Sequence, residues 1–329
     1  MKEIKADDYS IWIGEDSLSK LDFSTYSKTA ILVDENTKKH CINLLPTLNE
    51  SVIIEIKSGE KNKTISTCNL IWEQLTINNF DRNSALINLG GGVIGDMGGF
   101  AAATYKRGIS FIQIPTTLLA MVDASIGGKL GVDFNGLKNQ VGLFSNPESV
   151  IINPKFLDTL PEEELKSGFS ELVKYALITD KGLWKKITNT PFNNLDWKEM
   201  IYTSIEIKNN IVISDPKEKV ERKSLNFGHT FGHAIESYYL EKGTPILHGE
   251  AIFMGIILES EISDLTQSEK NEIKNYILSN FALPYTPKKS YLHKFLLNDK
   301  KNQEGKINFS LLKEIGNYTI DNLFSEDEL

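Results

Sequence analysis

Three of the five histidines in the sequence, His229, His233 and His248, are clustered in its second half. His229 and His233 are four positions apart, a spacing that places both imidazoles on one face of a helix. An acidic residue, Glu171, lies in an earlier helical stretch, with Lys174 one turn along the same face. Two imidazoles and a carboxylate with one open position form a catalytic zinc-type site. The sequence therefore predicts a metal site. Spacing favours His229 and His233 as the pair without deciding which two histidines bind.

A glycine-rich segment at residues 90–99 could bind an anion. It follows a strand-like run ending at Leu89 and precedes the helix-compatible residues Ala101–Ala103. A strand, a glycine turn and a helix N-terminus together present backbone N–H groups that a phosphate can approach closely. The segment does not match the dinucleotide fingerprint G-x-G-x-x-G followed by an acid about 20 residues later. A glycine turn that serves packing alone remains the alternative.

Two polar features of the first half could add contacts to a nucleotide. Asp34 ends a predicted strand, a position where an acid can accept hydrogen bonds from ribose hydroxyls. The polar segment Lys57–Lys63 follows the next strand. Each of them alone is equally typical of an ordinary polar loop.

Asp123 and Lys129 flank two glycines in the otherwise apolar segment Thr116–Lys129. A buried acid and a buried amine need partners, because an unpaired buried charge costs several kcal/mol. The partners are either each other, as a structural ion pair, or the hydroxyls and anionic groups of a substrate. Further donors suited to phosphate or carboxylate lie nearby in the sequence, at Arg107, Lys138 and Asn139.

The elements that must position these residues change in character along the chain. Continuous apolar runs of the first half are typical of parallel strands buried on both faces, and they are Thr29–Val33, Val52–Ile56, Ala85–Leu89, Phe111–Ile114 and Val150–Ile152. After Pro154, long helical patterns dominate. We predict a Rossmann-like α/β domain with a parallel sheet at residues 1–155 and a mainly α-helical domain at 156–329.

The composition indicates a soluble globular protein. The chain has 329 residues, of which 40% are hydrophobic and 24% charged, and a formal net charge of −8. An acidic chain argues against nucleic-acid binding, and no apolar run is long enough to span a membrane. The N-terminus lacks a signal-peptide pattern, and the isolated Cys41 and Cys68 predict buried thiols in a reducing compartment. We therefore expect a cytoplasmic protein.

Taken together, these residues resemble 3-dehydroquinate synthases, enzymes of the shikimate pathway. The resemblance covers nearly the whole chain and rests on the order and spacing of Asp34, residues 90–99, Thr116–Lys129, Ser167–Tyr175, Leu225–Glu236 and His248–Glu250. It implies an NAD-binding N-terminal domain, a helical metal-binding C-terminal domain and a homodimer. Two positions depart from the family pattern, because leucines replace a threonine at Leu130 and a glycine at Leu137. These departures affect local loop shape rather than a charge or a ligand.

The resemblance also implies a role for individual residues. The metal ligands would be Glu171, His229 and His248, holding Zn²⁺ or alternatively Co²⁺. His233 would then contact the substrate rather than the metal. Implied cofactor contacts are Asp34, Asn36, Ser58, Gly59, Glu60, Lys61, Asn62, Lys63, Gly92, Val93, Ile94, Gly95, Asp96, Thr116, Thr117, Lys129, Lys138, Phe156, Leu157, Asp158 and Thr159. Implied catalytic and substrate contacts are Asp123, Lys129, Asn139, Lys174, Lys208, Arg222, Asn226, His233, one of Lys300 and Lys301, and Arg107, which in the family reaches the phosphate from the neighbouring subunit.

The implied reaction converts 3-deoxy-D-arabino-heptulosonate 7-phosphate into 3-dehydroquinate and phosphate. The C4 hydroxyl is oxidised by NAD while the metal polarises the C4 and C5 hydroxyls. The ketone acidifies the neighbouring C–H so that phosphate leaves. The hydride is then returned and an aldol step closes the ring. Because NAD is regenerated, the net reaction is that of a carbon–oxygen lyase.

Three other functions compete with this interpretation. Related sugar phosphate cyclases share the NAD and metal blocks, but Asn139, Lys208, Arg222 and Asn226 match the dehydroquinate pattern. Metal-dependent polyol dehydrogenases usually begin their metal set with an aspartate rather than with a residue such as Glu171. A non-catalytic binding protein should show gaps in its site, whereas candidates for every contact are present.

Overall fold

The computed structural model describes residues 1–46, 51–135, 137–297, 302 and 305–329. These residues form two compact units. The first consists of Met1–Leu165 and Trp197–Asn209, and the second of Lys166–Asp196 and Asn210–Leu329. The sequence-based division into 1–155 and 156–329 falls earlier in the chain and does not assign Trp197–Asn209 to the first part. As a statement about separate domains, that division stays a prediction.

A seven-stranded sheet lies at the centre of the first unit. Its strands run in the order β1-β2-β9-β6-β5-β3-β4, and every pair except β1 with β2 is parallel. Strands β7 and β8 form a separate antiparallel hairpin. The strands are β1 (Lys2–Lys5), β2 (Ser10–Ile13), β3 (Thr29–Asp34), β4 (Val52–Ile56), β5 (Ala85–Gly90), β6 (Ser110–Pro115), β7 (Lys129–Phe134), β8 (Leu137–Phe144) and β9 (Ser149–Ile152). The mostly parallel sheet confirms the predicted α/β fold.

Three helices follow strands of this sheet: α1 (Glu35–His40), α2 (Ile65–Ile77) and α3 (Gly92–Thr104). The apolar residues of α2 recur at helical spacing, and Ile71 and Leu75 are fully buried in one core with Leu86 of β5 and Met97 of α3. Burial of this apolar surface holds the two helices against the sheet. Both predicted thiols, Cys41 and Cys68, are free and buried.

The second unit is mainly helical, as the sequence predicted. Its core joins Phe231 and Ala234 to Ala251, Met254 and Phe309. The elements from residue 162 onward are α4 (Glu162–Thr179), α5 (Lys181–Asn189), α6 (Trp197–Ser214, in the first unit as far as Asn209), α7 (His229–Glu241), α8 (His248–Glu261), α9 (Gln267–Asn280), α10 (Lys289–Leu296), and the antiparallel strands β10 (Ile307–Glu314) and β11 (Asn317–Phe324). None of the described helices combines the length and apolar character needed to cross a membrane.

Candidate functional site

Three helices of the second unit bring Glu171, His229 and His248 together. Glu171 lies in α4, while His229 and His248 are the first residues of α7 and α8. The Nε2 atom of each imidazole lies 3.4 Å from Oε1 of Glu171. One donor atom from each of the three residues lies within 4.8 Å of the others. Two imidazole nitrogens and a carboxylate oxygen at this spacing are suitable ligands for a divalent metal.

Close helix packing produces this convergence. At the start of α8, the N–H of Gly249 donates a hydrogen bond to Oγ of Ser167, one turn before Glu171 on α4. Further along α8, a Cβ on Gly255 would lie only 1.9 Å from the carbonyl oxygen of Gly228, directly before α7. A larger residue than glycine there would force the two helices apart. The histidines therefore depend on small residues at helix contacts.

The orientation of His229 is set by its other ring nitrogen. Nδ1 of His229 lies 3.1 Å from the carbonyl oxygen of Phe227. A carbonyl only accepts, so this hydrogen bond requires the proton on Nδ1 and leaves the Nε2 lone pair facing Glu171. That tautomer is the one a metal ligand needs.

Glu171 is completely buried, and its closest contact is an ion pair with Lys174. Apart from ion-pair contacts, neither of its carboxylate oxygens accepts a hydrogen bond among the described residues. Burial works to raise the pKa of Glu171, yet the charge of Lys174 outweighs it and holds the pKa well below its ordinary value. Glu171 is thus an ionised carboxylate with coordinating capacity left, and the donor set fits a metal.

His233 lies beside this centre but in a second group. Its ring centroid is 5.2 Å from that of His229. Donor atoms of His233, Glu236 and His248 lie within 4.8 Å of one another and form this second group. The first group consists of Glu171, His229 and His248. Burial alone would lower the pKa of His248, but the charges of Glu236 and Glu171 raise it to about 10. Glu236 had no role in the sequence analysis, although it lies seven positions after His229 on the same helix face.

Two further residues with predicted substrate roles belong to the second unit. Arg222 is buried and donates from Nη1 to the carbonyl oxygen of Pro216 at 2.8 Å. Asn226 donates from Nδ2 to Oε1 of Glu218 at 2.7 Å. Sequence analysis missed Glu218, because nothing in its spacing distinguishes it from a surface acid. Lys300 and Lys301 lie outside the described residues.

In the first unit, the glycine-rich segment has two structural roles. Its first half forms the turn after β5 and the first turn of α3, where Gly91 is the N-cap and no side chain caps the helix. The carbonyl of Gly90 accepts the N–H of Thr116, so the chain after β6 lies beside this turn. Its second half serves packing, since a Cβ on Gly98 would lie 2.1 Å from Oδ1 of Asn88. The segment therefore combines a helix N-terminus with a packing role, and its binding of an anion stays a prediction.

Polar residues predicted to contact a cofactor form a network near the start of α3. The ammonium of Lys63 is buried and donates to Oδ2 of Asp96 at 2.6 Å and to Oδ1 of Asn139 at 2.7 Å. Oε1 of Glu60 lies 4.0 Å from Lys63 and 3.8 Å from Lys138. Burial works to lower the pKa of Lys63, but Asp96 and Glu60 outweigh it and raise the pKa. Asn139, predicted to bind substrate, here contacts a residue predicted to bind cofactor.

Asp34 and the segment after β4 occupy positions at strand ends, as expected. Oδ1 of Asp34 accepts the backbone N–H groups of Asn36 and Thr37 at 2.9 and 2.8 Å, which caps α1. Ser58 donates its N–H and its hydroxyl to the carboxylate of Glu35. These contacts order the two loops that follow β3 and β4.

Asp123 has a partner other than the one its sequence neighbours suggested. Nζ of Lys208 donates to the carboxylate of Asp123 at 2.8 Å and to its carbonyl at 2.5 Å. Lys208 is buried, whereas Lys129 is exposed, so the expectation that Lys129 is a buried amine was wrong. The reason is local, because Gly127 and Gly128 both adopt positive φ and turn the chain before β7 begins at Lys129.

The remaining predicted residues lie in two short helical turns. Arg107 is exposed at φ +70° and lines a polar cavity of about 360 Å³ with Arg82, Ser110 and Asn146. The segment Phe156–Thr159 belongs to a turn that Asn153 caps through the N–H of Lys155.

Comparison with known proteins gives consistent matches along the chain. Family models for 3-dehydroquinate synthase N-terminal and C-terminal regions match residues 53–167 and 168–302. A 3-dehydroquinate synthase of Parabacteroides distasonis is 39% identical, over 96% of this chain and 92% of its own length. That of Prochlorococcus marinus is 40% identical, over 96% and 90%.

Solved structures share the fold. A 2-deoxy-scyllo-inosose synthase complexed with carbaglucose-6-phosphate, NAD⁺ and Co²⁺ superposes with a TM-score of 0.85 at 24% identity, covering 98% of this chain and 95% of the other. A 2-epi-5-epi-valiolone synthase from Streptomyces hygroscopicus with NAD⁺ and Zn²⁺ bound gives a TM-score of 0.84 at 23% identity, covering 100% and 96%. At these identities the likeness concerns the fold alone.

Proposed function

The chain belongs to the 3-dehydroquinate synthase family, and from this premise we propose that it converts 3-deoxy-D-arabino-heptulosonate 7-phosphate into 3-dehydroquinate and phosphate. The observation that carries the proposal is the meeting of Glu171, His229 and His248 on three helices. The reaction makes the protein a carbon–oxygen lyase of the shikimate pathway, and so of aromatic amino acid biosynthesis.

We propose that Glu171, His229 and His248 hold one divalent ion, Zn²⁺ or alternatively Co²⁺. Such an ion, when bound, polarises substrate hydroxyls and lowers the cost of forming an alkoxide. The buried ionised carboxylate of Glu171 and the Nε2 lone pair of His229 support this assignment. The similar folds solved with NAD⁺ and either Co²⁺ or Zn²⁺ are consistent with it.

We place the NAD site in the first unit, at the carboxyl ends of β3, β4, β5 and β6, where doubly wound sheets bind nucleotides. NAD supplies a hydride acceptor that is regenerated within each turnover. Residues 92–94 offer backbone N–H groups at the start of α3, and Thr116 and Thr117 follow the neighbouring strand. Asp96 lies just after the first turn of α3, and its pairing with Lys63 supports the start of the helix that carries those N–H groups.

Substrate contacts are assigned from charge and hydrogen-bonding capacity. A sugar acid phosphate carries anionic groups and several hydroxyls, which suit Lys174, Arg222 and Arg107 as cations and Asp123 as a hydroxyl acceptor. Lys208 holds Asp123 by two hydrogen bonds and so fixes its carboxylate. We assign to the exposed imidazole of His233 the task of holding or moving a proton at a ring nitrogen. Lys129, Asn139 and Asn226 complete the proposed set.

We further propose a cytoplasmic homodimer without a nucleic-acid or membrane partner. The free buried thiols support the cytoplasmic location, and the acidic net charge argues against a nucleic-acid partner. The exposed Arg107, whose family counterpart reaches a neighbouring subunit, supports the dimer.

The test combines zinc-loaded protein, the heptulosonate phosphate and NAD at less than one equivalent. We expect phosphate and 3-dehydroquinate to form over many turnovers without accumulation of NADH. Formation of NADH from simple polyols, with no phosphate released, would instead assign a dehydrogenase. Turnover only of a seven-carbon sugar phosphate lacking the carboxylate would assign a related sugar phosphate cyclase.

A further inference from the structure

His248 lies between two carboxylates, one at each nitrogen of its ring. Nε2 is 3.4 Å from Oε1 of Glu171, and Nδ1 is 3.4 Å from Oε2 of Glu236. Glu236 is itself largely buried, with only 8% of its surface exposed. Burying a second acid next to a metal-type centre is costly unless it is paired, so its place beside Nδ1 calls for a function.

Glu236 shares one face of α7 with the other histidines. It lies seven positions after His229 and three after His233. The donor atoms therefore form two overlapping groups, one of Glu171, His229 and His248 and one of His233, Glu236 and His248. A single ion can use only one nitrogen of His248, so the two groups compete for it.

The first group is the better metal centre. Glu171 is fully buried and, apart from its ion-pair contacts, its carboxylate oxygens accept no hydrogen bond from the residues that the structure describes, while Phe227 holds His229 with Nε2 facing that carboxylate. The second group includes His233, which is exposed to solvent. If Nε2 of His248 serves the first group, Nδ1 must carry the proton, and Glu236 is the acceptor that faces it.

We propose that Glu236 is a positioning residue of the metal centre: its carboxylate accepts the Nδ1 proton of His248 and thereby directs Nε2 toward the ion held with Glu171 and His229. This inference rests on the proposed metal centre. It makes the two histidine ligands unequal, because His229 is held by a neutral carbonyl and His248 by a carboxylate. A carboxylate partner increases the basicity of the ligating nitrogen more than a carbonyl does.

The test measures metal binding without turnover, in Glu236→Gln and Glu236→Ala. Glutamine keeps a carbonyl acceptor and alanine removes any acceptor, so we expect Zn²⁺ affinity to fall about tenfold and about 100-fold respectively, the range for loss of such partners. Affinity is measured by competition with a chelating dye. The absorption spectrum of the Co²⁺-loaded protein should change as well, because the His248 ligand changes its donor strength. Glu241→Gln is the matched control, since Glu241 ends the same helix and pairs with the exposed Lys294.

Three results with the Glu236 variants would overturn the proposal. Unchanged affinity and an unchanged Co²⁺ spectrum would show that Glu236 has no influence on the ion. Complete loss of binding, as severe as in Glu171→Gln, would make Glu236 a direct ligand. A weaker affinity accompanied by a lower melting temperature of the metal-free protein would assign a structural role. Failure of the wild type to bind metal would refute the centre itself, whereas normal metal binding without turnover would refute only the proposed reaction.

Discussion

The metal centre of the second unit and the glycine-rich turn of the first unit offer polar atoms in opposite ways. In the metal centre the polar atoms belong to side chains, and the charged Glu171 and Lys174 are almost completely buried. In the turn they belong to the backbone, and the helix cap is Gly91, which has no side chain at all. The first region depends on the chemical identity of its side chains, and the second depends on the small volume of its side chains.

This contrast determines how each region should respond to substitution. Buried charges depend on their partners, so removing one leaves the other unpaired and destabilising. Backbone N–H groups remain whatever the side chain, so a substitution there acts by filling space. A single side-chain change in the metal centre should therefore affect both stability and metal binding. In the turn, a substitution should affect either binding or stability, depending on the space that it fills.

The largest effect is expected for Glu171→Gln. It removes a proposed metal ligand and leaves Lys174 buried without its carboxylate, so metal content should be lost and activity should fall at least ~10³-fold. The unfolding free energy of the metal-free protein should fall by about 3 kcal/mol. Metal content is measured by elemental analysis and stability by urea unfolding.

The double variant Glu171→Gln/Lys174→Met separates the two effects. Removing the unpaired ammonium should restore most of the lost stability without restoring metal binding. Retention of a full equivalent of metal in either variant would contradict the ligand assignment.

The glycine turn provides the corresponding test in the first unit, through Gly92→Ala and Gly98→Ala. Among the described residues, a Cβ on Gly92 would meet Cβ of Ala124 alone, at 3.4 Å, so the fold should tolerate it. It would nevertheless occupy the space through which a phosphate approaches the backbone, and NAD affinity should fall 10- to 100-fold, about 1.5–3 kcal/mol. A Cβ on Gly98 would overlap Oδ1 of Asn88, so that variant should lose about 1–3 kcal/mol of stability.

Isothermal titration with NAD and thermal unfolding distinguish the two glycines. Should Gly92→Ala bind NAD as tightly as the wild type, the site that binds the NAD phosphates would have to lie elsewhere, and the turn would serve packing alone.

Residue types and periodicity predicted the α/β sheet and the helical second half well. Apolar runs such as Ala85–Leu89 are long enough to specify a buried strand by themselves. The β7–β8 hairpin was not predicted, because Lys129–Phe134 and Leu137–Phe144 do not form continuous apolar runs. Its pairing comes from contacts between strands, which local pattern does not contain.

The candidate site could be predicted in type but not in arrangement. Histidine spacing indicated a metal centre, yet the helix packing near Gly255 decides which imidazoles lie beside Glu171. In the same way, Asp123 pairs with Lys208, 85 positions away, rather than with the nearby Lys129. Glu218 and Glu236 were missed because an acid that contacts a side chain of the next helical segment has the same local sequence as a solvated one.

A smaller effect is expected at Arg107, which is exposed and belongs to neither a buried charge pair nor a glycine turn. If it contacts the substrate phosphate, Arg107→Ala should raise KM about tenfold, with little change in kcat or melting temperature. Arg107→Lys keeps the charge without the bidentate geometry, so its KM should lie between those of the wild type and the alanine variant. An unchanged KM in the alanine variant would count against the phosphate contact, and steady-state kinetics decide it.

The smallest effect is expected at the two thiols, which are buried groups without a catalytic task. Burial, with a contribution from Asp34, raises the pKa of Cys41 to about 11, and burial raises the pKa of Cys68 to about 12. Neither thiol should react with an aromatic disulfide reagent at pH 8 in the native protein, and both should react after denaturation.

The same shifts give a pH dependence of stability with a definite sign. The unfolded thiols release their protons near pH 9, below the native values, so their contribution is complete below pH 9 and is lost as the pH rises toward 11 and 12. Between pH 8 and pH 10 the unfolding free energy should fall by about 1 kcal/mol for each thiol. Cys68→Ala removes one titrating group. The decrease in its unfolding free energy over this interval should therefore be about 1 kcal/mol smaller than the decrease in the wild type. An equal loss in both proteins, measured by urea unfolding, would show that Cys68 ionises as readily in the native state as in the unfolded chain.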